Sequence, residues 1–333
     1  MVAGLDVGVG FGGFGRRAAL GALVVGGLLA AGLPALAEVK GLNIIAPAAP
    51  GGGWDQTARA MQTALQEAGL ASGIQVKNIA GAGGTIGLAQ FVTSEKKRGD
   101  AILVGGLVME GAILTNKAPV TLAEVTPLAR LTGEYELVVV PADGPYRTLA
   151  ELVAKLKAEP AAVSWGGGST GGTDHILAGL IAKAAGADPS KVNYIAHSGG
   201  GEALSSILGG HVTAGISGYE EFAPQVAAGK LRALAISSDE RLPGVDIPTL
   251  KEQGLDVALV NWRGVFAPPQ IRDKDKKALE SALAKMVESP AWQDTLRKRG
   301  WLDLYQPAEA FAAFLAEDQA KIAATLKDVG LVK

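Results

Sequence analysis

The sequence predicts an α/β protein whose strands lie in parallel sheets covered by helices. Three observations lead there. From Leu42 onward short apolar runs alternate with amphipathic stretches, which is the βαβ pattern. A glycine-rich loop follows an apolar run and opens a helix four times, twice in each half of the chain. After Asn261 the composition turns to Lys, Glu and Ala, as in a helical tail that must pack on an existing sheet.

The first segment reads as an export address. Arg16 and Arg17 precede an uncharged run over residues 18–33, and Pro34 leads into Ala35-Leu36-Ala37, with small residues at both recognition positions of a signal peptidase. Residues 1–37 are therefore expected to be a signal peptide, with the mature protein beginning at Glu38. As a membrane span the uncharged run is too short, since a helix needs roughly 20 residues to cross a bilayer. The arginine pair with Leu20 resembles a twin-arginine signal, but Gly15, Ala18 and Ala19 give that route little support and Sec export is the simpler reading. Export of a chain with no cysteine points to a bacterial periplasm.

In the first series, strands are predicted at residues 42–46, 74–79 and 101–104, with helices at 55–68 and 85–95 between them. The second series opens with a capping box, Thr148 with Glu151, for a helix through Lys157. A strand at 163–165 and a helix at 174–185 follow. Further strands are predicted at 192–196, 212–216 and 231–237, each separated by a helix. The tail reads as three helices, 273–288, 291–300 and 307–329, with no strand among them.

Composition excludes several function classes. With no cysteine there is no thiol chemistry and no cysteine-ligated zinc. A net charge of -2 and 5% aromatic residues leave neither a basic stripe nor a stacking platform for nucleic acid. Gly166, Gly168 and Gly171 match a dinucleotide fingerprint, but the next strand ends in Ala196, His197 and Ser198, with no acid to hold a ribose. The same stretch reads G-x-S-x-G around Ser169, the form of a serine hydrolase elbow. That reading wants a histidine late in the chain, and His211 is the last of three. No cofactor, no metal and no catalytic residue is expected.

The four loops are Pro50-Gly51-Gly52-Gly53-Trp54-Asp55, Ala80-Gly81-Ala82-Gly83-Gly84-Thr85, the stretch from Gly166 through Ser169-Thr170-Gly171-Gly172-Thr173, and His197-Ser198-Gly199-Gly200-Gly201. Each opens a helix, so its backbone N–H groups are unpaired and the helix dipole adds partial positive charge. Glycine lets an anion come close to the main chain, which makes a carboxylate or phosphate the natural guest. In an open parallel sheet such loops emerge at the carboxyl edge of the strands, where ligands settle. The hydroxyls of Ser169, Thr170, Thr173 and Ser198 add further donors. His175 reads as a packing or capping residue more readily than as a base, and His197 has equal claims to the cleft and to the scaffold. Asp55 is read as helping to cap the first helix, Trp54 as a wall, and Arg59 as a salt-bridge partner. Arg263 would either neutralise a polyanionic ligand or brace the crossover.

The run from Ala46 through Pro50-Gly51-Gly52-Gly53-Trp54-Asp55 to Arg59, followed by Gly81-Ala82-Gly83-Gly84-Thr85-Ile86-Gly87, resembles the periplasmic solute-binding subunits of tripartite tricarboxylate transporters, the Bug-like receptors. The likeness continues through Gly199-Gly200-Gly201-Glu202, Gly209-Gly210-His211 and Trp262-Arg263-Gly264. It implies a type II periplasmic-binding-protein fold, two lobes joined by a two-strand hinge. Lobe 1 would comprise residues 38–139 with 262–333, and lobe 2 residues 140–261. The crossings would lie near residues 138–141 and 260–263. It further implies that the first-lobe loops hold one carboxylate through main-chain N–H groups and ordered water. Ser169 to Thr173, His197 to Gly200 and Ser217 would meet the rest of the ligand.

The Trp-Arg-Gly form at 262–264 resembles tricarboxylate-type members, which implies citrate or a related acid. A monomer is expected, handing its ligand to large and small membrane subunits. The same closed form would serve a sensor feeding a membrane kinase. From another class, Ser169 would centre a hydrolase.

Overall fold

A computed structural model describes residues 39–333. The expected signal peptide and the start at Glu38 lie outside the described residues. The first series runs β1 (Val39–Lys40), β2 (Asn43–Ala46), α1 (Gly53–Glu67), β3 (Ala71–Ser72), β4 (Gln75–Asn78), α2 (Thr85–Ser94), β5 (Ala101–Gly106) and α3 (Leu107–Thr115). A long strand, β6 (Thr126–Pro141), leads into the second series. It comprises α4 (Leu149–Ala158), β7 (Ser164–Gly167), α5 (Thr173–Ala184), β8 (Asn193–Ala196), α6 (Gly200–Leu208), β9 (Ala214–Gly218), α7 (Tyr219–Ala227) and β10 (Leu231–Ile236). The return strand β11 (Val260–Ala267) precedes α8 (Asp273–Glu288), α9 (Pro290–Arg299), β12 (Leu302–Pro307) and α10 (Ala308–Asp328).

Local sequence explains most of these elements. Helix α1 buries Trp54, Ala58, Met61, Ala64 and Leu65, which recur at the three- and four-residue spacing of one helical face. It stops where Gly69 takes a left-handed φ of 63° and Leu70 N–H donates to the carbonyl of Leu65. Helix α4 has the expected box: Thr148 accepts from Glu151 N–H, and the Glu151 carboxylate accepts from Thr148 N–H.

Strand order places the loops. The sheet runs β4-β2-β5-β11-β6-β9-β7-β8, with β10 and β12 also paired to β6. Strand β2 is parallel to β4 and β5, and β7 is parallel to β8 and β9. The first part of β6 pairs antiparallel with β11 and β12, and its last part with β9 and β10. The apolar cores follow the same division. One joins residues of 39–131 to residues of 262–326, with Ile176 as its single member from the second series. Two smaller cores draw only on residues 137–257.

The sequence reading needs three corrections. The sheet is mixed and not parallel throughout, because β6 pairs antiparallel with β9, β10, β11 and β12, and β11 with β5. The tail is not purely helical, because β12 lies between α9 and α10 and pairs with β6. Thr132 Oγ1 donates to the Leu302 carbonyl at 2.7 Å. A strand this short is stabilised by a partner far away in sequence, so no local pattern announces it. Helix α3 was also not expected. Its sequence, Leu107-Val108-Met109-Glu110-Gly111-Ala112-Ile113-Leu114-Thr115, is apolar on nearly all sides and carries no amphipathic period.

Candidate ligand-binding site

Five helix N-termini converge on one cavity of about 540 Å³ lined by both halves of the chain. The N-caps of α1, α2, α5, α6 and α7 are Gly52, Gly84, Gly172, Gly199 and Gly218, and none of the five caps its helix through a side chain. All five line the cavity. Strand–loop–helix units leave unpaired N–H groups at these ends, and the sheet order brings the ends together.

The first half supplies Gly52, Gly53, Trp54, Ala82, Gly83 and Gly84. Gly84 has a φ of 88°, and a Cβ there would stand 2.5 Å from the Trp54 ring. Only glycine allows that approach. Asp55 faces the other way: its carboxylate accepts from Gly51 N–H at 2.8 Å, Arg59 Nε at 2.9 Å and Asn78 Nδ2 at 2.9 Å. Burial works against its charge, but these donors outweigh that cost and hold the carboxyl below its usual range. Asp55 thus braces the loop from behind. Asn116, which also lines the cavity, donates to the Ala82 carbonyl at 3.0 Å.

The second half supplies Ser169, Thr170, Thr173, His197, Ser198, Gly199 and Ser217, together with acids the sequence reading did not single out. Asp174 accepts from Gly168 N–H at 2.6 Å, Glu202 from Ser198 N–H at 2.9 Å, and Glu221 from Ser217 Oγ at 2.5 Å. Glu134 pairs with Arg263, whose guanidinium also faces the Trp301 ring at 5.2 Å. Burial pushes the Glu134 carboxyl up to about 7 although Arg263 pulls it back. Burial likewise pushes Asp174 up to about 7, against the Gly168 N–H.

Of the residues expected to meet ligand, Pro50, Gly51, Asp55, Thr85 and Gly171 do not line the cavity. Gly51 and Asp55 hold each other, Thr85 Oγ1 donates to the Ala82 carbonyl, and Gly171 N–H donates to His175 Nδ1. The others lie around one space. Arg263 lines it too, with its charge already matched by Glu134. The omitted polar and charged lining residues are Glu134, Asp174, Glu202, Glu221, Asn116 and Asn261. Asp174, Glu202 and Glu221 sit in first turns of helices, where an acid reads as a dipole partner. Glu134 and Asn261 lie on strands and carry no loop signal.

Neither histidine near Ser169 serves it. His175 stacks on Tyr194 with centroids 4.0 Å apart, and burial lowers its pKa to about 4. His197 Nδ1 lies 3.1 Å from the Gly167 carbonyl. Among the described residues no helix is long and apolar enough to cross a membrane.

The family described as "Tripartite tricarboxylate transporter family receptor" matches residues 57–331. The chain belongs to that receptor family. Its members are periplasmic solute-binding receptors, not enzymes. The receptor is similar to the protein BugT of Bordetella pertussis, 28% identical over 302 residues that cover 87% of this chain and 89% of BugT. In fold it is similar to the periplasmic binding protein BugD, with a TM-score of 0.79, 23% identity, and coverage of 88% of this chain and 99% of BugD. It is also similar in fold to MatC of Rhodopseudomonas palustris with bound malate, with a TM-score of 0.76, 24% identity, and coverage of 87% and 99%.

Proposed function

We propose that this receptor captures a small organic carboxylate between its two halves and delivers it to the membrane subunits of a tripartite transporter. The convergence of five glycine N-caps, none closed by its own side chain, carries the reading. Unpaired N–H groups at the positive ends of helices favour an anion, and charge-assisted hydrogen bonds contribute about 1.5–3 kcal/mol each. The halves act as lobes, residues 38–139 with 262–333 against 140–261, and β6 and β11 are the crossings about which they close. A ligand touching both favours the closed form by its differential affinity for that form.

The cleft lining bears on the kind of acid. A fully ionised tricarboxylate such as citrate would bring its charges beside Glu134, Asp174, Glu202 and Glu221, with Arg263 already paired. An acid with one or two carboxylates suits this lining better. Thermal-shift screening against citrate, malate, succinate, glutamate, phosphate and a neutral sugar tests the reading, since a bound ligand raises the melting temperature by mass action. A response confined to the sugar would sink it. Uptake of the responding acid by cells with and without the gene then separates delivery from sensing. Ester turnover lost on Ser169→Ala would revive the hydrolase reading.

A further inference from the structure

The halves also meet outside the cleft, where α9, packed with the first series, approaches α7 of the second. Three basic residues crowd the last turn of α9: Arg297, Lys298 and Arg299. Arg297 and Lys298 pair back onto Asp294 of the same helix. Arg299 reaches across instead, and its Nη1 donates at 2.5 Å both to Glu220 Oε1 and to Gln56 Oε1. Glu220 and Gln56 stand in the first turns of α7 and α1, whose N-caps Gly218 and Gly52 line the cleft from opposite halves. One guanidinium therefore bonds to two of the helices that open onto the cavity, one from each half.

The surroundings of Arg299 are built from both sides. Trp301 belongs to the core of the first series, and its ring faces Arg299 at 5.1 Å and Arg263 at 5.2 Å. Glu220 and Glu134 supply one countercharge to each arginine. Gly300 ends α9 with a left-handed φ of 63°, and a Cβ there would stand 3.5 Å from the ring of Tyr219, which packs on a core of the second series. Gln56 passes the contact on, since its Nε2 donates to the Gly51 carbonyl at 2.9 Å. Gln56, Glu220 and Arg299 do not line the cavity, so their bonds are made apart from any ligand held there. Among the described residues one other ion pair joins the halves, Lys183 with Asp328, whose side chains are 51% and 57% exposed against 33% and 28% for Arg299 and Glu220.

We infer that Arg299 is a clasp between the halves: closure forms its bonds to Glu220 and Gln56, and these bonds hold the closed form without contacting the ligand. The inference rests on reading the halves as lobes that close over a carboxylate. An isolated exposed ion pair contributes little, but this guanidinium makes two bonds at once and is sheltered by the Trp301 ring. Apparent affinity rises with the population of the form that grips the ligand. Arg299 is thus a positioning residue that sets how tightly every ligand is held, while the cleft lining sets which ligand is chosen.

Distance measurement between two spin labels tests this, and a chain with no cysteine lets two introduced ones carry the labels. Lys77→Cys on β4 and Lys157→Cys on α4 use exposed positions on opposite halves. Double electron–electron resonance records the distances without ligand and with malate, succinate or glutamate at millimolar concentration. Arg299→Gln should deplete the short-distance population, Arg299→Glu should deplete it further, and Arg299→Glu combined with Glu220→Arg should restore it. In calorimetric titration Arg299→Gln should weaken each acid that binds by the same factor, about threefold to tenfold. Lys183→Gln should change neither readout. Labels that approach when an acid is added but are indifferent to Arg299 overturn the clasp and leave the lobe reading standing. An equal shift in Lys183→Gln overturns it too. If neither acid nor substitution moves the labels, both readings fall together.

Discussion

Arg263 of β11 lies against Glu134 of β6, and both side chains are buried. Strand β6 runs from one core to the other with β11 paired beside it, and their register sets Asn261 opposite Glu134 and Arg263 opposite Thr132. The ion pair therefore ties these two strands where both line the cleft. A buried charge loses hydration that only a well-placed partner offsets, so removing one member costs more than the pair contributes.

Arg263→Met should accordingly lower unfolding stability by about 3–5 kcal/mol, and the double variant Glu134→Gln with Arg263→Met should recover part of the loss. Urea denaturation at pH 8 measures both. A single-variant loss under about 1 kcal/mol would mean that the pair behaves as an exposed one.

Glu110 of α3 is buried, one of its carboxyl oxygens has no partner, and burial with the nearby Asp318 raises its pKa from 4.5 to about 9. Between these values the folded protein holds a proton that the unfolded chain has released. Its contribution is thus complete below pH 4.5 and is lost as pH rises toward 9. Glu110→Gln should flatten the fall in stability across that window and be the more stable protein at pH 8, as read from melting temperatures along a pH series.

Asp55 behaves in the opposite sense. Its folded pKa lies below the usual 3.8, so its contribution is present above that value and is lost as pH falls through the lower one. Asp55→Ala should cost about 1–3 kcal/mol at pH 7 and weaken ligand binding, because the loop at Gly51 loses its brace. Chemical denaturation of both proteins should show the difference shrinking in strong acid.

At Gly84 a side chain would meet the Trp54 ring at 2.5 Å with the backbone at a φ of 88°. Gly84→Ala should cost about 2–4 kcal/mol from left-handed strain and overpacking together. It should also abolish the ligand-induced rise in melting temperature if Trp54 is pushed into the cleft. An unaltered ligand response in a folded variant would place the anion elsewhere.

The sequence by itself determined the alternation of strands and helices, the capping box of Thr148 with Glu151, and the glycine loops that open helices without a side-chain cap; Asp55, read as a cap, instead braces the loop at Gly51. These are short-range matters: a helical face, a cap or a turn is specified by residues within a few positions of one another. The resemblance carried by Pro50 to Asp55, Gly81 to Gly87 and Trp262 to Gly264 pointed to the family. What only the tertiary structure decided is the pairing of residues distant along the chain. Glu134 and Arg263 are 129 residues apart, and Thr132 meets Leu302 across 170. Helix α3 escaped notice because a helix apolar on nearly every side has no period to read, and its environment is set by packing. The acidity of the second half of the cleft was hidden for a related reason. An acid in a first helical turn satisfies a local rule wherever it occurs, and only the convergence of α5, α6 and α7 turns three such acids toward one cavity, because a sheet sums charge over elements that sequence keeps apart.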